Sequence, residues 1–157
     1  MPLQPNGLGS GEQAYTPILT ATTTDPDLGS GGIARGGWQY VSGSLVWFWA
    51  LIMFGEDPDP GEGIYQISLP HFPVENPGRA AGDGVILDSS ASNEGRPVRA
   101  ACSEELVSGL GGIAGRPFLV DVSDPAPFFT ALVGAEAPFT FAELDQINIS
   151  GIYQMLG

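Results

Sequence analysis

Leu45-Val46-Trp47-Phe48-Trp49-Ala50-Leu51-Ile52-Met53-Phe54 is a run of ten consecutive apolar residues, and it constrains this chain more than any other feature. Ten residues fall well short of the ~20 needed to cross a bilayer as a helix, so the run belongs inside a folded domain or an assembly. A buried helix and a strand compete for such a run; the aromatic and β-branched content and the flanking glycines favour a strand. Alternate residues of a strand face opposite sides. Val46, Phe48, Ala50, Ile52 and Phe54 then line one face, and Leu45, Trp47, Trp49, Leu51 and Met53 line the other. Neither face is polar. A sheet packed on one core buries one face only, so the second needs a cover of its own. Monomers rarely expose a large contiguous apolar patch, and another subunit is the expected cover. Leu45, Trp47, Trp49, Leu51 and Met53 are therefore the predicted subunit interface.

The rest of the chain is heavily punctuated, with 23 Gly and 14 Pro among 157 residues. Such a density approaches that of disordered chains, yet 43% hydrophobic and 10% aromatic residues supply enough burial to offset the entropy of ordering. Many short strands joined by Gly/Pro turns satisfy both facts. Strands are predicted at Tyr15–Thr24, where Pro17 confines the segment to an edge or a strand start, and at Ile33–Arg35, ended by Gly36-Gly37. Further strands are predicted at Trp38–Val41, Leu45–Phe54, Ile64–Pro70, Gly84–Asp88, Arg96–Cys102, Pro117–Val122, Phe128–Leu132 and Gln146–Tyr153. The one helical signal is Ser103–Ser108, with a capping Ser and acids in the first turn. Strands at this spacing predict an all-β sandwich or barrel. Residues 1–13, rich in Pro and Gly, read as a flexible N-terminal arm, and residues 14–157 as the β-domain.

Charge and reactive residues narrow the function. There are five Arg, no Lys and 18 acids, for a net charge of −13. Arg35, Arg79, Arg96, Arg99 and Arg116 are scattered, whereas nucleic acids and anionic membranes require clustered bases; both are excluded as partners, and no membrane insertion is expected. The N-terminus lacks a basic segment followed by an apolar one, so no secretion signal is expected. Cys102 stands alone and reads as a small buried residue. His71, the one histidine, lies beside Pro70 with no Gly-x-Ser-x-Gly elbow anywhere. The acidic turn Asp57-Pro58-Asp59-Pro60-Gly61-Glu62 is the best candidate for calcium, since carboxylates two or three residues apart on a loop can converge. It lacks the EF-hand spacing, and a solvated acidic loop is the simpler reading, as it is for Asp25 and Asp27. Gly109-Leu110-Gly111-Gly112 fails the dinucleotide fingerprint. The expectation is a protein without catalytic activity or cofactor.

The order of the landmarks adds a resemblance. Tyr15-Thr16-Pro17 opens the domain, followed by Gly37-Trp38-Gln39-Tyr40-Val41-Ser42-Gly43 and the apolar strand. Gly61-Glu62-Gly63-Ile64-Tyr65-Gln66-Ile67-Ser68-Leu69-Pro70, Pro138-Phe139-Thr140-Phe141 and Asp145-Gln146-Ile147 with Gly151-Ile152-Tyr153 complete the series. This order resembles the carboxy-terminal β-domain of tailed-bacteriophage fibre and minor tail proteins over about Tyr15 to Tyr153. Members of that family commonly read Tyr-Thr-Pro, Trp-x-Arg-x-Gly, Gly-x-Gly-x-Tyr-x-x-Ser-Leu-Pro, Pro-Phe-Thr-Trp and a closing Gly-Asp-x-Ile. Here Tyr40 replaces the Arg, Phe141 the final aromatic, and Leu144-Asp145 the Gly-Asp. The resemblance implies a jelly-roll-like β-sandwich that forms a homotrimer on the virion surface. It implies a minor tail, tail fibre or short-spike role, or a capsid decoration or head-fibre role. On that view the arm, with Leu3, Pro5 and Leu8, attaches the domain to other virion proteins of the capsid or tail. A carbohydrate-binding module for host-surface glycans is the alternative, and a glycan depolymerase using paired carboxylates a further one.

Overall fold

The computed structural model describes residues 11–73, 80–91, 94–102, 109–123 and 132–156. These contain β1 (Gln13–Tyr15), β2 (Leu19–Ala21), β3 (Ile33–Ser42), β4 (Leu45–Met53), β5 (Tyr65–Ile67), β6 (Ala80–Asp88), β7 (Glu94–Ala101), β8 (Phe118–Asp121) and β9 (Gln146–Gln154). They join in one sheet of order β1-β3-β4-β9-β6-β7-β8-β5-β2, with every pairing antiparallel. The all-β expectation holds.

Chain connectivity forces this sheet to curl. Its two edge strands, β1 and β2, are consecutive in sequence and separated only by Thr16, Pro17 and Ile18. Four residue steps span at most about 14 Å, whereas nine strands laid flat at ~4.8 Å spacing would part the edges by about 38 Å. The curl encloses a single core, to which every strand but the short β1 contributes a fully packed residue: Leu19, Trp38, Phe48, Ile67, Ile86, Val98, Leu119 and Ile149 are all buried in it. On β4, the stripe Val46, Phe48, Ala50 and Ile52 is sealed, and Phe54 just beyond continues it. Burying each large side chain of that stripe contributes about 1.5–3 kcal/mol.

Several predicted strands differ from the observed ones. Tyr15–Thr24 is not one strand, because Pro17 has no N–H and the hydrogen bonding switches there from β3 to β5. Both halves are edge strands, as the proline requires. Gly36 and Gly37 do not end a strand; β3 runs through them, so Ile33–Arg35 and Trp38–Val41 are continuous. A Cβ at Gly36 would collide with the Tyr15 ring, and one at Gly37 with the Glu12 carboxylate and the Trp49 indole. These glycines make room for neighbours on the two faces rather than a turn. β1 begins at Gln13, inside the expected arm, and β5 is shorter than Ile64–Pro70. The helical signal at 103–108 and most of the predicted strand Phe128–Leu132 lie outside the described residues; Leu132 itself bridges Val120.

Two polar features fix the ends of the sheet. Beyond β2 and β5 the loops continue side by side, with bridges Thr24–Glu62, Asp27–Asp59 and Ser30–Glu56; Asp27 and Asp59 exchange backbone hydrogen bonds of 2.8 and 2.9 Å. Asp145, 1% exposed, accepts from the Ser89 amide (2.7 Å), the Ser89 hydroxyl (2.8 Å) and the Ala142 amide (2.8 Å). It thereby ties the end of β6 to the start of β9. Burial raises the phenols of Tyr15 and Tyr65 above their ordinary range, and pushes Tyr153 up to about 12.

Candidate functional site

The two faces of β4 have different fates. Its register with β3 and β9 sets the rows Gln39–Trp47–Ile152, Gly37–Trp49–Ser150, Arg35–Leu51–Asn148 and Ile33–Met53–Gln146. Directly paired residues project to the same side, so these rows build the outer face of the sheet, opposite the core. The rows continue onto β6 and β7 through Ser150–Asp83–Arg99, Asn148–Val85–Pro97 and Gln146–Leu87–Gly95.

All five predicted interface residues lie on this face. Leu45 is 39% exposed, Trp47, Trp49, Leu51 and Met53 are half-buried, and Ile152 beside them is 55% exposed. The described residues leave this stripe without the cover that the inner stripe has. Leu3, Pro5 and Leu8 lie outside the described residues.

Charges on the face are few and balanced. The Trp49 indole N–H donates to the Glu12 carboxylate, which lies in the space above Gly37. Arg99 is bonded to Asp83 at 2.8 Å. Arg35 is exposed and has no carboxylate partner among the described residues. Among the described residues, two carboxylates and two guanidinium groups give this face no net charge, in a chain of −13.

Between β4, β9 and β6 the face holds a shallow depression of about 270 Å³, lined by Trp49, Asp83, Val85, Asn148 and Ser150 among others. A second depression, of about 230 Å³, lies between Gly61–Ile64 and Gly134–Ala137 and includes Glu62 and Glu136. Both of these acids are exposed.

The other reactive residues take structural roles. His71 packs edge-on against Trp38, ring centroids 4.4 Å apart. Its backbone N–H donates to the Tyr153 hydroxyl, and that hydroxyl donates to its carbonyl, both at 3.0 Å. Cys102 is buried. In the acidic loops, Asp59 accepts the Gly61 amide and Asp27 the Gly29 amide, each at 2.9 Å. Among the described residues no three His, Cys, Asp or Glu side chains gather to hold a metal, and no helix is long and apolar enough to cross a membrane.

Sequence reasoning alone misses Glu12, Arg35, Asp83, Asn148, Ser150 and Ile152. For Asn148, Ser150 and Ile152 the signal is the period-two pattern of β9, where Ile147, Ile149 and Tyr153 alternate with Gln146, Asn148, Ser150 and Ile152. Glu12 and Arg35 join the face only through strand pairing. No protein-family model, no curated protein and no solved structure matches this chain.

Proposed function

We propose that this chain is a surface-displayed structural domain of a bacteriophage particle, a jelly-roll-like β-sandwich that assembles as a homotrimer and attaches to tail or capsid through its N-terminal arm. The observation that carries the self-association is the apolar stripe Leu45, Trp47, Trp49, Leu51 and Met53, which the described residues leave half-buried or exposed. Its apolar area is continuous with Ile152, and monomers seldom leave such a surface to water.

The phage part of the reading rests on the ordered motifs, and those motifs perform structural work. Trp38 and Tyr65 are core residues; Phe141 stacks on Phe54 at 5.1 Å; the closing Tyr153 holds the His71 backbone. Leu144 stands where the family pattern has glycine, and its φ of 69° lies in the region that favours glycine. Asp145, the acid of that pattern, has the three-bond role described above.

Immunogold labelling of particles from the virus that encodes this chain tests the assignment. Label at the tail or on the capsid supports it, and its absence from purified particles overturns it. A chain lacking Met1–Ser10 should still fold yet fail to enter particles; normal incorporation would remove the attachment role of the arm.

One observation favours a second reading, a host-glycan adhesin. The 270 Å³ depression combines the Trp49 ring with the Asp83 carboxylate, the Asn148 amide and the Ser150 hydroxyl, a mix suited to a sugar ring with its hydroxyls. Saturable quenching of tryptophan fluorescence by host-surface oligosaccharides, lost in Asp83→Ala, would favour that reading; unchanged fluorescence at millimolar sugar would remove it.

A further inference from the structure

The outer face specifies contacts as well as the kind of partner it fits. Five strands, β3, β4, β9, β6 and β7, span about 24 Å at ~4.8 Å each, and the nine residues of β4 run about 30 Å. Laid flat the face would measure roughly 700 Å², against the ~800 Å² per partner of a stable interface, and the curl of the sheet presents less than that to any one partner.

Charge decides what lies on it. A strongly cationic partner would seek the acidic loops and not a face of zero net charge. Two copies, each at −13, repel one another over most of their surface, and approach at least cost through the face where charge is balanced. Within that face the Asp83–Arg99 pair is already satisfied in its own chain at 2.8 Å. Glu12 and Arg35 are not. One Glu12 oxygen accepts the Trp49 indole, which leaves the second open, and Arg35 has no carboxylate among the described residues.

We infer that a second copy of this chain docks on the outer face of β4 with its Arg35 guanidinium against the Glu12 carboxylate of the first copy. The inference rests on the self-association proposed above and adds its register. Closed symmetry lets every copy give one Glu12 and one Arg35 to its neighbours, so no charge is left buried and unpaired. The guanidinium fork also suits a carboxylate whose orientation is already fixed by the indole.

Charge reversal in trans tests this. Glu12→Arg and Arg35→Glu each place like charges opposite one another, and each should weaken self-association at least about tenfold in sedimentation velocity at low salt. Mixed together, the two variants are complementary at two of the three contacts of a trimer, because one contact in any mixed ring of three joins like variants, and association should recover in part, which a pairing within one chain cannot produce. Glu12→Gln keeps an acceptor for the indole but removes the charge, and should weaken association without altering the circular dichroism of the folded chain. Recovery on mixing establishes the contact. Single variants that associate like the unaltered chain, or a mixture that does not recover, overturn the contact while leaving self-association standing. An unaltered chain that stays monomeric overturns both.

Discussion

Leu144 holds a φ of 69° with its side chain 55% exposed. A left-handed conformation costs a residue with a Cβ roughly 1–2 kcal/mol, and glycine loses part of that gain through its freer unfolded chain. Leu144→Gly should therefore stabilise the domain by about 1 kcal/mol, read as a higher urea midpoint with an unchanged slope. Asp145 next to it answers the opposite demand. Asp145→Ala removes the acceptor shared by the half-buried Ser89 and the Ala142 amide, and a donor left unsatisfied away from water costs roughly 1–3 kcal/mol. A fall of several degrees in melting temperature is expected, and a loss below 1 °C would contradict the knot. Neither role was legible locally. An Asp after a Leu reads as a surface acid, and only its place in the motif series hinted that glycine belongs at 144.

At the scale of elements, β4 was the most legible part of the chain, since ten apolar residues with no polar interruption leave a strand two buried faces to account for. β3 was not, because glycine signals either a breaker or a close approach and only the partner strands decide between them. Gln66 shows the same limit. Alternation assigns it to a polar side, yet it is buried under the segment around Ile113. It donates to the Ile113 and Arg116 carbonyls at 3.0 and 2.8 Å and accepts the Ile113 amide at 2.7 Å, partners 47 and 50 residues away. For β4 itself, Trp47→Asp should abolish assembly, because burying a lone carboxylate in an apolar contact costs several kcal/mol. Glu56→Ala, on an exposed loop, should change neither assembly nor stability by more than about 0.5 kcal/mol. Size-exclusion chromatography of the two variants separates these outcomes, and equal behaviour would contradict the role of the face.

For the whole molecule, turn spacing made the all-β class legible, while the closure of the sheet depended on which strands pair and emerges only from the register. That closure buries three tyrosines, and their titration gives a pH dependence. Burial raises Tyr15, Tyr65 and Tyr153 above the unfolded value of 10.0, Tyr153 to about 12. Above pH 10 the unfolded chain releases phenolic protons that the folded chain retains, so stability is full below pH 10 and falls as pH rises toward 12 and beyond. Urea midpoints at pH 9, 10.5 and 11.5 should decline in that order, and a flat series would contradict the burial. The central claim is that a second copy covers the outer face of β4. Sedimentation equilibrium of the purified chain at micromolar concentration tests it most directly: the account predicts a species of three times the 16.3 kDa chain mass, and a stable 16.3 kDa monomer would contradict it.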